Sequence, residues 1–364
     1  MTRPIGVGLV GCGVIDQIHA DSLRLVVEDG DITAVAVADP SEPARKAANR
    51  NCRFGYMTAD PLAVIHDPDV EAVLIATPTK AHPELVMAAL AAGKPLLCEK
   101  PLAPTFAEVR ALADAVQASG LTAQVGFHQR FHPIVHHLRH LVSSEELGRV
   151  MGYTVREDQF WPTGAVMPGH SSWRSDLAQA GGGALLEHSI HAADVLCFLF
   201  GPPTRVFATQ RAVFGYDVED VAALTIEHES GVVGTLLTVF NGVRGREERR
   251  LEVFFEQAAV ETTNDFIVGA DEDSFQIQRA GQPLERLDLE QLRSAHFRSL
   301  GIERTDFLFY TYVAARAWAH AIRDGRSATP GFADALLAHV LVEAAYRSAR
   351  TGTFTDVAEV LQAP

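Results

Sequence analysis

The chain has 364 residues, more than one ordinary core and about right for two domains. Hydrophobic residues make up 47% and charged residues 21%, which excludes a disordered chain. A net charge of −15, from 31 basic and 46 acidic residues, excludes the basic face that nucleic acid requires. No apolar run reaches the roughly 18 residues of a membrane helix, so neither partner is expected.

The run "IGVGLVGCGVI" opens the ordered pattern. It is apolar enough to pass for a signal-peptide core, but four glycines interrupt it, only Arg3 precedes it, and no small-residue cleavage pattern follows. It reads instead as a strand and a glycine turn. "IDQIHADSLRLVV" then has apolar residues at helical spacing, "ITAVAVAD" is a second strand, and "SEPARKAANR" a second helix opened by Ser41 and Pro43. "EAVLIATP" and "PLLCEK" have the continuous apolarity of strands covered on both faces. Between and after them, "PELVMAALAAG" and "FAEVRALADAVQASG" read as helices ending at Gly93 and Gly120. Such alternation predicts a parallel sheet of right-handed βαβ units.

After "TAQVGF" the pattern changes. "VMGYTVRED", "RVFATQRAVF", "VAALTIEHE", "GVVGTLLTVF" and "RRLEVFFEQAAVETT" are β-branched and aromatic runs separated by turn residues. They predict an α+β domain with a mostly antiparallel sheet. "DALLAHVLVEAAYRSARTG" reads as a final amphipathic helix ending before Gly352. With no repeat and no low-complexity linker, a direct boundary is expected near 127, giving domains 1–127 and 128–364. The cysteines at 12, 52, 98 and 197 form no C-x-x-C pair and read as buried thiols in a reducing compartment, hence a cytoplasmic protein.

Gly11-Cys12-Gly13 follows the first strand and opens the first helix. Glycines there permit a tight turn and let backbone N–H groups approach a pyrophosphate at a helix N-terminus, with Val14 and Ile15 completing the loop. Asp39, 26 positions after Gly13, ends the second strand. An acid there accepts from ribose hydroxyls and repels a 2′-phosphate, which favours NAD over NADP. Arg45 is expected to face solvent. The third glycine position of the fingerprint is Asp16, a departure that puts a negative charge near a diphosphate.

Lysine is scarce: Lys46, Lys80, Lys94 and Lys100 are the four in the chain. Lys100 follows a buried strand at the edge where open α/β sheets bind ligands. It pairs either with Glu99, as a structural ion pair, or with a ligand. Further on, "GGGALLEHSIHAADVLCFLFG" combines a glycine run, read as a flexible lead-in, with helical periodicity. Glu187, His191 and Asp194 at i, i+4 and i+7 are expected on one helix face, a histidine with a carboxylate one turn away. His188 falls on another face. The spacing is not His-Glu-x-x-His, and no metal is assigned. His132, His136 and His140 are read as a helix face, Arg244 to Arg250 as a solvated hairpin, and Phe160 and Trp161 as packing or a sugar-stacking wall.

Together these segments resemble the Gfo/Idh/MocA oxidoreductases, the family of glucose–fructose oxidoreductase and inositol dehydrogenase. The anchors are "VGLVGCGVIDQIHA", "ATPTKAHPELVMAALAAGKPLLCEKPLA", "VGFHQRFHP", "GGGALLEHSIHAAD", "VEDVAALTIEHESG" and "EAAYRSARTG", spread over nearly the whole chain. The resemblance implies an N-terminal Rossmann domain and a C-terminal α+β domain whose large open sheet makes a homodimer or homotetramer. It implies Lys100 as the active-site lysine and His191 as the catalytic histidine. Glu187, where many members have aspartate, either orients His191 or binds substrate. Thr77, Pro78 and His82 would line the cofactor with Gly11, Gly13, Val14, Ile15, Asp39, Glu99, Lys100, Trp173 and Arg174. His128, Arg130, Trp161 and His188 would lie near substrate. The expected reaction is NAD-dependent oxidation of a secondary hydroxyl on a cyclic polyol or pyranose sugar. The alternatives are an NAD-recycling lyase or glycosidase working through a keto intermediate, and a sugar or dinucleotide sensor without chemistry.

Overall fold

The computed structural model describes residues 3–160, 172–243, 247–264, 268–271 and 273–363. They divide into two compact units. The first comprises 1–128, 178–181 and 309–336, and the second 129–177, 182–308 and 337–364. The sequence division at 127 assigns 309–336 to the second domain, whereas the contacts group that segment with the first.

In the first unit, strands β1 (Ile5–Val10), β2 (Ile32–Ala38), β3 (Tyr56–Thr58), β4 (Ala72–Ile75), β5 (Leu96–Cys98) and β6 (Ala123–Val125) form one parallel sheet. Their order is β3-β2-β1-β4-β5-β6, with the reversal beside β1 that defines a Rossmann sheet. The strands are apolar because both faces are covered: Val7, Leu9, Leu74, Ile75 and Leu96 are fully buried. The helices stop and start where their capping chemistry allows. Ser41 caps Glu42–Cys52, and Thr105 with Glu108 forms a reciprocal capping box on Phe106–Ser119, which ends at left-handed Gly120. Register aligns the strand ends, pairing Val10 with Ala38 and Ile75, Ile75 with Cys98, and Cys98 with Val125. The residues that follow therefore emerge along one sheet edge.

The returning helix Tyr310–Arg323 packs on the glycine-loop helix Val14–Glu28. Asp31 receives Arg323 at 2.6 Å and His320 at 2.9 Å, Tyr312 donates to Asp29 at 2.6 Å, and Ser22 meets Thr311 at 2.7 Å. No local pattern in 309–336 announces these partners, which lie almost 300 positions earlier.

The second unit is built on β7 (Val150–Phe160), β8 (Pro203–Arg211), β9 (Val221–His228), β10 (Val233–Asn241), β11 (Glu248–Phe255), β12 (Ala258–Thr263), β13 (Ser274–Arg279), β14 (Glu285–Arg286) and β15 (Thr355–Asp356). Among the described residues they form a nine-stranded sheet ordered β14-β13-β12-β11-β7-β10-β9-β8-β15. All its pairings are antiparallel except β7 with β10. Alternation of buried and exposed positions, plain in β10, fits a sheet covered on one face. The helix Phe332–Thr351 ends before Gly352 as expected, but the short strand β15 and the helix Val357–Gln362 follow it.

Candidate active site

In the first unit the chemistry-bearing residues cluster where the strands end. Gly11 takes φ +106°, open to glycine at little cost, and its N–H donates to Ala38 O at 2.8 Å. The Cys12 N–H donates to one Asp39 oxygen at 2.8 Å, and the Ser41 N–H to the other at 2.7 Å. Asp39 thus braces the loop while about half of its roughly four acceptor sites stay uncommitted to these two donors. Arg45 does not face open solvent: it is half-buried and donates to the Asp39 carbonyl, because the helix capped by Ser41 turns back over the strand end. Gly13 and Val14 are exposed and Ile15 half-buried, while the Asp16 side chain lies outside the described residues.

Pro78 is exposed, and Thr77 Oγ1 is buried with no hydrogen-bond partner among the described residues. An orphaned buried hydroxyl at this edge fits a polar group of a bound dinucleotide. His82 joins two of the strand-end loops: its ring nitrogens lie 2.8 Å from the Pro101 and Thr77 carbonyl oxygens. Burial pushes its pKa down against the upward pull of those carbonyls, and burial prevails.

Glu99 is buried, at 3% exposure, directly before Lys100. Its carboxylate accepts from the Lys100 backbone N–H at 3.0 Å and from the His19 ring at 2.8 Å. Burial alone would raise its pKa. The His19 hydrogen bond, with the charges of His19, Lys100 and His128, overcomes burial and holds it at about 2. Gly126 makes room, since a Cβ there would stand 2.4–2.7 Å from the Glu99 carboxyl atoms. Sequence reasoning did not single out His19. The available signal was a polar residue on the buried stripe of the first helix, four and seven positions before the core residues Leu23 and Val26.

In the second unit the stretch Gly181–Gly201 is not one helix. Ala184–His188 forms a wide π-type turn, Ser189 follows with ψ 6°, and a regular helix runs from Ile190 to Phe200. Glu187 therefore does not share a helix face with His191 and Asp194, as sequence spacing suggested. A wide turn breaks the 3.6-residue period, and such turns recur at functional sites. Nor is the lead-in loose. Glu219, buried, accepts from the Gly183 and Leu185 N–H groups and from the Tyr346 hydroxyl, all at 2.9 Å. A Cβ on Gly183 would stand 1.8 Å from the Glu219 carbonyl oxygen, so glycine is there for close approach. Burial raises the Glu219 pKa, partly offset by those donors.

Glu187, His188 and His191 are all buried, at 5%, 5% and 3% exposure. Glu187 Oε2 lies 3.3 Å from Arg174 Nε, and the Arg174 guanidinium stacks 4.4 Å from the Trp173 ring. Asp194 binds Arg130 with both oxygens, Nε to Oδ2 and Nη2 to Oδ1 at 2.7 Å each. Arg130 also lies over Phe198. This buried fork ties the helix Ile190–Phe200 to the segment before Pro133. Trp161 and the hairpin residues 244–246 lie outside the described residues, and Phe160 is buried. No group of three or more His, Cys, Asp or Glu among the described residues suits a metal ion. No single described helix is long and apolar enough to cross a membrane.

Residues 5–127 match the profile of the oxidoreductase family with an NAD-binding Rossmann fold, and residues 135–261 that of the GFO/IDH/MocA C-terminal domain. Levoglucosan dehydrogenase from Pseudarthrobacter phenanthrenivorans is 28% identical, over 98% of this chain and 99% of that protein. Inositol 2-dehydrogenase 2 from Paenarthrobacter aurescens is 32% identical, over 74% of this chain and 79% of that protein. A solved levoglucosan dehydrogenase in complex with NADH superposes with a TM-score of 0.86 at 25% identity, covering 98% of this chain and 99% of that one. The Rossmann order, the glycine loop with its acid, and these matches agree: the chain belongs to the Gfo/Idh/MocA family of NAD-binding oxidoreductases.

Proposed function

We propose that this enzyme oxidises a secondary hydroxyl of a cyclic polyol or pyranose-type sugar, with Lys100, His191 and Glu187 as the residues that act on it. The observation that carries the reading is the placement of Lys100 where β5 ends in a Rossmann sheet, with Glu99 beside it already committed to His19 and to the Lys100 backbone N–H. The relatives named for inositol and levoglucosan support the substrate class.

NAD⁺, when bound, supplies the hydride acceptor. Gly11, Gly13, Val14, Ile15, Asp39, Thr77, Pro78, His82, Trp173 and Arg174 are the residues proposed to hold it. Lys100 stabilises negative charge developing on the substrate oxygen, and the imidazole of His191 takes the hydroxyl proton. Glu187, held against Arg174, orients His191 or receives a sugar hydroxyl. His128, Arg130, Trp161 and His188 complete the proposed substrate surroundings, with Arg130 acting through Asp194.

A homo-oligomer in the cytoplasm fits the same reading. Val233, Leu237 and Phe254 expose 45%, 39% and 41% of their surface on the open face of the large sheet, an apolar row suited to a second copy. All four cysteines are buried and in no disulfide. The test is a panel of cyclic polyols and pyranoses with NAD⁺ and NADP⁺, read as nicotinamide absorbance. Stoichiometric NADH with at least one substrate supports the proposal. Product formation without net NADH supports the recycling lyase instead, and no turnover across the panel contradicts both.

A further inference from the structure

Glu157 stands at an inward-facing position of β7, in line with the core residues Tyr153 and Val155, and is only 2% exposed. A carboxylate in a core slot of a sheet is costly unless its partners compensate. Here the register supplies them: Thr238 on β10 and Arg249 on β11 lie directly opposite Glu157 on either side. Arg249 Nε is 3.6 Å from Glu157 Oε1, and His188 Nε2 is 3.9 Å from Oε2.

The shortest contact comes from Ser189, whose Oγ is 2.6 Å from Glu157 Oε2 and 2.7 Å from Thr238 Oγ1. A serine has one hydroxyl proton. It goes to one of these two acceptors at a time, and the Glu157 carboxylate is both the nearer and the charged one, while the Thr238 hydroxyl donates to the Ala184 carbonyl at 3.4 Å. Ser189 occupies the N-cap position of the helix Ile190–Phe200, where serine ordinarily bonds a first-turn N–H, yet it makes no side-chain cap. Its hydroxyl goes to the sheet instead. Ser189 is also the hinge between the wide turn that carries Glu187 and the helix that carries His191.

We propose that Glu157 is a positioning residue: through Ser189 it pins this hinge to the sheet and so fixes the direction of the His191 imidazole. The inference rests on the reading of His191 as the proton acceptor. The pin needs an acceptor oxygen at 157 and a hydroxyl at 189, and the two act as one unit.

The experiment compares Ser189→Ala, Glu157→Leu, their combination and Glu157→Gln with His191→Ala, using a substrate found in the panel above. Ser189→Ala is expected to lower kcat about tenfold while KM for NAD⁺ stays within about twofold, as for a misaligned catalytic group. The combination is expected to be no slower than Glu157→Leu alone, because both remove one contact. Glu157→Gln keeps an acceptor and is expected to recover most of the turnover that Glu157→Leu loses. Multiplying effects, or a raised KM with kcat intact, overturn the proposal. If His191→Ala leaves turnover intact, the site reading itself fails; if it abolishes turnover and Ser189→Ala does not, the pin fails alone. Amide hydrogen exchange over 190–193 reads the pin without any substrate. Exchange about tenfold faster in Ser189→Ala is expected, and unchanged exchange contradicts the pin.

Discussion

In the first unit the proposed site residues emerge where parallel strands end in register, whereas in the second they ride on a break between two helical segments. The first arrangement follows from sheet geometry: β1, β4, β5 and β6 end side by side, so Gly11, Thr77, Lys100 and His128 follow along one edge. The second has no such lattice and is held from outside. Glu219 grips the start of the turn through two backbone N–H groups, Ser189 anchors its end on Glu157, and Arg130 holds the following helix through Asp194. Regular structure supplies position cheaply; irregular structure needs buried charges, each dependent on its partners.

The largest expected effect falls on the second unit. Asp194→Asn leaves the Arg130 guanidinium, 5% exposed, without its paired carboxylate. Breaking such a buried pair costs on the order of 3–5 kcal/mol, which denaturant unfolding will read as a lowered midpoint. A loss below about 1 kcal/mol would show the fork to be dispensable.

Glu99 provides the counterpart in the first unit. Its pKa falls from about 4.5 unfolded to about 2 folded. A depressed carboxylate adds stability above its unfolded pKa that disappears as pH falls through its folded pKa. That increment is on the order of 3 kcal/mol at neutral pH and fades between about pH 4.5 and 2. Glu99→Gln should flatten the acid limb of the stability curve in this window, measured by unfolding at stepped pH. An unchanged limb breaks the comparison, since the first unit would then owe nothing to the Glu99 charge cluster.

A smaller effect sharpens the account of the turn. Tyr346→Phe removes one of the three donors to Glu219 and leaves the backbone pair. The expected cost is about 1 kcal/mol in stability, with amide exchange faster across 183–185. Equal loosening of the Rossmann strands would show that Tyr346 supports the unit generally rather than the turn.

The contrast also explains what could be read from the sequence. Strands β1, β2, β4 and β5 were legible because burial on both faces leaves continuous apolar runs, whereas the short, exposed β3 leaves none, and helix ends were legible because Ser41 and Gly120 are local signals. Lys100 was legible as a charge ending such a run. Glu187, His191 and Asp194 were legible as polar positions in an apolar stretch, but not as an arrangement. Periodicity assumes an unbroken helix, and the wide turn at 184–188 is fixed by Glu219, Tyr346 and Glu157, all distant in the chain. Asp194 was placed beside His191 by spacing, while its partner Arg130 lies 64 positions earlier. The return of 309–336 to the first unit has the same cause: Asp29 and Asp31 choose Tyr312, His320 and Arg323 by proximity in space.

The central claim, that the Lys100 amine and the His191 imidazole act on the substrate, is tested most directly by Lys100→Ala and His191→Ala in parallel. NADH formation would be followed on the preferred polyol or sugar and NAD⁺ affinity by calorimetry. Each variant is predicted to lose about 10²–10⁴-fold in kcat with NAD⁺ affinity changed by less than about threefold. Turnover within about twofold of the unaltered enzyme in either variant would contradict the account.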